Sequence, residues 1–400
     1  MARERFDYLL IGGGVTGCAL ARALAERKPK ARVALLEKEP EVAFHTSGRN
    51  SGVVHAGYNQ KPGTLKAKFC VEGNRRLKEY AKSRGVPLAE TGIRVVARSP
   101  SERPVLEELL RRGRENGVPG LSLVDGAELR RLEPNASGIA ALHAPSGAAV
   151  DGGALVRALA EDAKAAGAQL RLGEAVRRVS ASGEGYEVRT TRATYQAARL
   201  VNCAGLHADR VARQVGAGLG YSIVPFRGEF YYLDDAKAAL IRSMVYSVPD
   251  IRYPFLGVHW TRTVHGKVKV GPNAVLALGR EAYGTFEVHA GDALRMAADP
   301  RFWRMAASSE FRRLAAENLR TSLSKSAFLR QAFTLVAGAR PADFKKGPSG
   351  IRAQLVDKTG ALVDDLLVER KDASLHVLNA ISPGLTCSLP FADYLAKELE

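Results

Sequence analysis

Gly12, Gly14 and Gly17, in the run Gly12-Gly13-Gly14-Val15-Thr16-Gly17, have the spacing that lets a chain turn tightly, bring bare backbone up to a pyrophosphate and pack a helix close on a strand. The chemistry this spacing offers is the holding of a dinucleotide. Val15 and Thr16 open the helix, whose first N–H groups lack partners inside it and meet phosphate oxygens at its positive end. Glu37, followed by Lys38, closes a second apolar run where a carboxylate accepts hydrogen bonds from both hydroxyls of an adenosine ribose, and an acid there disfavours a 2′-phosphate. A glycine-rich turn in another α/β protein is the alternative to the triplet alone, and the strand, helix and acid together favour the dinucleotide cradle over it.

The elements that must position these residues are readable in the flanking sequence. Phe6 to Ile11 reads as a buried strand, Cys18 to Arg27 as a helix of small residues, and Arg32 to Leu36 as a second strand. A loop rich in Ser, Gly, Asn and His runs from Ala43 to Lys61, and an amphipathic helix follows from Thr64 to Ser83. Gly92 to Ala97 reads as a strand, Ser101 to Asn116 as a polar helix, and Asp125 to Leu132 as a short helix capped by its aspartate. The nucleotide-domain pattern then resumes with a helix over Gly153 to Ala166 and strands over Gln169 to Leu172 and Ala175 to Val179. Tyr186 to Thr190 with Ala193 to Gln196 reads as a hairpin, and Arg199 to Cys203 as a separate strand running into Ala204-Gly205.

Aromatic strands such as Glu229 to Leu233 and Leu256 to Thr261 follow, then helices between Asp299 and Leu323, then short strands and a closing helix over Leu389 to Glu398. These segments imply two interleaved domains, one assembled from 1–90, 145–220 and 338–400, the other from 91–144 and 221–337. Interleaving of this kind puts a ligand site at the junction.

Four hundred residues suffice for two cores, and 46% apolar with 25% charged residues is ordinary for a folded soluble chain. No apolar stretch is long enough to cross a bilayer, and the first strand begins so early that no leader peptide is expected, which points to the cytoplasm. Cys18, Cys70, Cys203 and Cys387 are scattered without a Cys/His cluster, so neither a metal site nor a disulfide framework is expected. The net charge of +17 favours acidic partners: a dicarboxylate substrate or peripheral contact with the inner face of an anionic membrane. Nucleic acid ranks last, because no basic segment is interleaved with aromatic residues.

Over nearly its whole length the chain resembles the D-amino acid oxidase superfamily of FAD enzymes. The resemblance lies in Asp7-Tyr8-Leu9-Leu10-Ile11-Gly12-Gly13-Gly14, in the loop from His45 to Gly57, in Val201 to Asp209, and in Pro225-Phe226-Arg227-Gly228-Glu229. Pro254 to Thr261, Val270 to Ala274 and Gly350 to Gln354 are similar to the L-2-hydroxyglutarate dehydrogenase/oxidase branch. The resemblance implies an α/β fold, with a Rossmann-like FAD-binding domain interleaved with a mixed-sheet α+β substrate domain. It also implies oxidation of the C2 hydroxyl of L-2-hydroxyglutarate, or a similar 2-hydroxy acid, with electrons passed onward; the residues do not name the acceptor, which quinone or oxygen could equally serve.

FAD contacts are then expected from Thr46, Ser47, Gly48, Asn50, Ser51 and Gly52 in the loop, from Val176, from Cys203, Ala204 and Gly205, and from Pro383, Gly384, Leu385 and Thr386. His45 stands where some relatives attach flavin covalently. Two stretches depart from the family pattern: Asn379-Ala380-Ile381-Ser382-Pro383-Gly384-Leu385-Thr386, and Asp250-Ile251-Arg252-Tyr253 with its unexpected arginine.

Removal of the hydroxyl proton while hydride leaves C2 requires a base, and histidine suits neutral pH. His55 is the first choice and His259 the second. A dicarboxylate needs cations, and arginine grips a carboxylate with two parallel hydrogen bonds. The candidates are Arg227, Arg252, Arg340 and Arg352, with Tyr253 and Asn273 as polar supports, though arginines of this kind also end in ordinary ion pairs. Two rival readings remain: a related FAD enzyme acting on an amine, an amino acid or glycerol 3-phosphate, and a flavin-bearing protein that binds an acidic partner.

Overall fold

The computed structural model describes residues 4–251 and 257–400. Arg252 and Tyr253 therefore lie outside the described residues, as does part of the expected Leu256 to Thr261 strand.

The strand Glu4–Ile11 is apolar on both sides because it is central: it pairs in parallel with Val33–Leu36 on one edge and Thr194–Asn202 on the other. Its Tyr8 and Leu10 face a layer of helices, and Leu9 and Ile11 face the opposite layer. Gln169–Arg171 extends the sheet beyond Val33–Leu36, and Val176–Ser182 and Gly185–Thr190 extend it past Thr194–Asn202. Ser374–Asn379 joins the end of Thr194–Asn202 in parallel and carries Leu367–Lys371 with it.

Thr194–Asn202 is one nine-residue strand, where the sequence suggests a hairpin arm and a separate strand. Ala197, Ala198 and Arg199 give little apolar signal, yet Tyr195, Ala197 and Leu200 are buried and the pairing with Glu4–Ile11 runs straight through. The helices Val15–Arg27, Leu65–Ser83, Gly152–Ala165 and Gly384–Glu398 pack on the sheet in a single core. Thr64 caps its helix by accepting the Ala67 N–H, and Asp151 caps Gly152–Ala165 in the same way.

Gly384–Glu398 starts five residues earlier than expected, because Gly384 and Pro390 read as breakers. Pro390 lacks the N–H that would bond the Thr386 carbonyl. Gly73 of the neighbouring helix comes so close there that a Cβ would overlap that oxygen.

A second eight-stranded sheet is antiparallel apart from one parallel pair, Met244–Ser247 with Ile93–Ala97. Phe344–Lys346 closes one edge by pairing with Tyr231–Leu233, so the chain crosses back into this sheet after residue 338. In a separate three-stranded sheet, Tyr221–Gly228 pairs antiparallel with Gly350–Asp357 over its full length. Helices Ala290–Ala297 and Lys325–Phe333, absent from the sequence reading, flank the expected pair Pro300–Ala307 and Ser309–Leu323. All four cysteines are buried and free. No helix among the described residues is long and apolar enough to span a membrane.

Candidate active site

The glycine turn has the local geometry its spacing predicts. Gly12 sits at φ +112°, and a Cβ there would overlap the Cys203 carbonyl; a Cβ on Gly17 would overlap the Gly12 carbonyl. Glu37 is held on the turn, its carboxylate accepting the Gly13 N–H at 2.6 Å and the Glu39 N–H at 2.9 Å. The Ser47 hydroxyl accepts the Val15 N–H at 2.9 Å, which shows where an acceptor oxygen sits on this helix N-terminus.

A cavity of about 870 Å³ opens from that point. Gly14, Val15 and Thr16 line it together with Thr46, Ser47, Asn50 and Ser51 of the loop, Cys203 and Gly205, and the segment Pro383 to Leu385. A Cβ on Gly205 or Gly384 would meet nothing within 4 Å, so backbone there faces open space of the kind a bound ring fills. The early start of Gly384–Glu398 brings the N-terminus of a second helix to this wall. An elongated dinucleotide therefore fits the residues present.

Several expected cofactor residues act on the cradle from behind. Gly48 and Gly52 shape the loop, where a Cβ would run into the Ala43 and Val150 carbonyls respectively. Asn50 spends its amide within the loop, donating to Ser47 O at 2.6 Å and accepting from Gly52 N at 2.7 Å. The Ala204 N–H is bonded to Asn202 at 3.1 Å, and Thr386 accepts the His55 N–H at 3.0 Å. Val176 begins a strand two residues after Glu174, whose N–H bonds the Glu37 carbonyl.

Lys38 is committed elsewhere, pairing with Glu39 and, at 2.9 Å, with Glu281. Burial works against its charge, but these carboxylates hold its pKa above the ordinary value. Glu39, His45 and Glu281 are close enough together to suggest metal ligands. The Lys38 ammonium, 2.8 Å from His45 Nε2, already occupies that position as a cation.

His55 and His259 both line the cavity and both are buried. Asn74 donates to the His55 carbonyl at 3.0 Å, and the His55 Nε2 lies 3.5 Å from the Ser382 hydroxyl in the C-terminal loop. His259 stacks on Tyr246 with ring centroids 3.9 Å apart. Its Nδ1 donates to the Gly257 carbonyl at 2.9 Å, which leaves Nε2 the acceptor nitrogen, enclosed and without a partner among the described residues. Burial holds His55 down at about 4, with Lys66 adding to the effect, and burial holds His259 down at about 3. Both imidazoles are neutral at pH 7 and able to accept a proton.

These depressions have a consequence for stability. His376, also pushed down to about 4 by burial, joins the pair. Below an ordinary imidazole pKa near 6.5 the unfolded chain takes up protons that the folded chain refuses, so stability is complete above neutrality and falls with acidification. Each imidazole contributes a loss of about 2 kcal/mol between pH 7 and pH 5. Chemical denaturation at the two pH values should show a clearly lower midpoint at pH 5, and coincident curves would contradict the burial of these rings.

Of the arginines, only Arg352 among the described candidates lines the cavity. The residue keeps some exposed surface, but its Nε and Nη2 are enclosed, and burial lowers its pKa to about 10 against the opposing field of Asp364. Lys66, a residue the sequence reading missed, is buried beside it and pairs with Asp364 at 3.1 Å. Lys269 was missed as well. It is buried, donates to the Asn50 carbonyl at 3.1 Å and lies over the Phe230 ring, and burial holds it at about 8.

Two of the expected arginines are not among the residues that line the cavity. Arg227 donates to the Gly284 carbonyl at 2.6 Å and approaches Glu229 at 3.5 Å, away from the cavity. Its cross-strand partner Ile351 does line the cavity, so what keeps the Arg227 side chain out is its engagement with Gly284, Glu229 and Ser322 rather than the strand face. Arg340 is exposed at a turn closed by Asp343 and is not part of the cavity wall. Asn273 touches the cavity, yet its amide is engaged with Glu229, at 2.9 Å to the backbone and 3.1 Å to the carboxylate.

The family model for FAD-dependent oxidoreductases matches residues 7–398. An L-2-hydroxyglutarate dehydrogenase of Indibacter alkaliphilus is 39% identical over 96% of this chain and 96% of its own length. The mitochondrial L-2-hydroxyglutarate dehydrogenase of Homo sapiens is 35% identical over 99% of this chain and 89% of its own. Among solved structures, an FAD-bound L-α-glycerophosphate oxidase from Mycoplasma pneumoniae superposes with a TM-score of 0.81 at 24% identity, covering 99% of this chain and 95% of that one. A glycine oxidase from Geobacillus kaustophilus gives 0.71 at 21%, covering 99% and 94%. Cradle, cavity and matched length agree, and the chain belongs to the FAD-dependent oxidoreductase family, with FAD as its cofactor.

Proposed function

We propose that the protein oxidises the C2 hydroxyl of L-2-hydroxyglutarate to the 2-oxo acid. The observation that carries this reading is one cavity that joins the FAD cradle to two neutral imidazoles and the enclosed Arg352. The names of the full-length relatives support it.

Bound FAD supplies a ring that accepts hydride from C2. The chain's own residues do the rest. His55 takes the hydroxyl proton on a ring nitrogen, helped by burial that keeps the imidazole neutral. His259 lines the same space, with its tautomer fixed by Gly257 and its Nε2 enclosed. Arg352 holds a carboxylate through its planar fork. The apolar surroundings strengthen this interaction by excluding water.

Anaerobic mixing of the FAD-loaded protein with L-2-hydroxyglutarate, its D enantiomer, glycerol 3-phosphate and sarcosine, followed by flavin absorbance, tests the assignment. Fast bleaching by the L-hydroxy acid alone is expected, and preference for either of the last two would replace it with a rival reading.

Electrons then pass to quinone or oxygen. Support for a peripheral membrane position comes from the helices between Ala290 and Leu323, which expose Leu294, Trp303, Leu319 and Leu323 alongside exposed Arg312 and Arg320. Each basic residue near an anionic surface contributes about 1 kcal/mol. Sedimentation with anionic vesicles at low salt, and release by added salt, is the expected result; equal binding to neutral vesicles would remove the electrostatic basis.

A further inference from the structure

A second cavity, of about 600 Å³, shares a wall with the active-site cavity. The strand Tyr221–Gly228 gives Ser222 to Pro225 to this one, and Phe226 and Gly228 to the other. The helix Pro300–Ala307 does the same, with Pro300 to Phe302 on this side and Arg304 and Met305 on the other.

The charge of the second cavity is lopsided. Arg210, Arg213, Arg280, Arg295 and Arg301 line it against Asp292 and Asp299. Both carboxylates are already engaged, Asp292 with Arg210 at 2.6 Å and Asp299 with Arg301 at 3.3 Å, while Arg280 is paired with the fully buried Asp209. Five cations against three anions, Asp209 included, leave two positive charges without a counterpart.

The surplus has an address. Arg213 donates to the Tyr221 carbonyl and reaches Asp209 only at 3.9 Å, and Arg295 is exposed with no ion pair among the described residues. Arg301 pairs with Asp299 and donates to the Leu219 carbonyl. Guanidinium forks match carboxylate and phosphate oxygens in pairs. The lining contains neither an imidazole nor a glycine turn like that of the FAD cradle, so it does not duplicate the active site.

We infer that this cavity binds a small multivalent oxyanion, and that the bound anion braces the strand and helix that also wall the active site. The chemistry is common to polycarboxylates and inorganic phosphate, and the two are separated by testing each.

Thermal unfolding of the FAD-loaded protein is followed in citrate, in inorganic phosphate, and in sodium chloride of equal ionic strength. A rise in midpoint that saturates at low millimolar citrate or phosphate, and is absent in chloride, is expected; the anion that acts identifies the ligand class. Arg295→Glu should raise the half-saturating concentration at least tenfold, as should Arg295→Gln combined with Arg301→Gln. Arg295→Glu should leave the rate of flavin reduction unchanged. Arg352→Gln, which removes the cation of the other cavity, should leave the anion response intact. A response no larger than that in chloride, or one lost in Arg352→Gln and kept in the Arg295 variants, overturns the inference. Neither outcome bears on the proposed oxidation, which is read from flavin bleaching.

Discussion

Replacing His55 by alanine lowers the rate of flavin reduction by about 10²-fold or more while FAD stays bound, because a positioned base contributes on that scale and the cradle does not include the imidazole. The His55 backbone is independently pinned by Thr386 and Asn74, so the loop keeps its path when the ring is removed. Rapid anaerobic mixing isolates this step from electron delivery. In the unaltered protein the rate should be flat from pH 6 to pH 8, since both imidazoles are already neutral there. His259→Ala is the comparison. A larger loss in that variant would transfer the base role to His259, which lines the same cavity.

The second large effect belongs to Arg352. Arg352→Gln removes a charge-assisted grip from an enclosed position, and truncating one partner of such a pair costs 2–5 kcal/mol. The apparent Kd for the hydroxy acid, taken from the concentration dependence of flavin reduction, should rise by about 10²-fold or more, with a smaller change in the limiting rate. Arg352→Lys keeps the charge but loses the planar fork, and should fall between. A Kd within threefold of the original in both variants would show that another cation holds the substrate.

The cradle was legible because its information is local. Gly12, Gly14 and Gly17 act within six residues, and the flanking apolar runs identify strand and helix without knowledge of the rest of the chain. The arginines were not, because the acceptors that hold a guanidinium come from distant parts of the chain. Arg227 and Arg352 lie on adjacent antiparallel strands and looked equivalent in sequence. The Gly284 carbonyl and Glu229 hold Arg227, while Arg352 lines the cavity. Asn273 and Lys38 were lost to partners far along the chain, Glu229 in one case and Glu281 in the other. Lys66 and Lys269 gave no signal at all: a lysine is read as solvent-facing unless the fold encloses it.

Gly384–Glu398 packs against Val15–Arg27 in one core, and its first turn completes the wall that Gly14 and Ser47 begin. Elements at opposite ends of the chain thus make a single receptacle. On a translating ribosome the amino-terminal glycines emerge hundreds of residues before the helix that must close over their ligand. Firm capture of the flavin is consequently a late event in biogenesis, and nascent chains halted before residue 384 should release it.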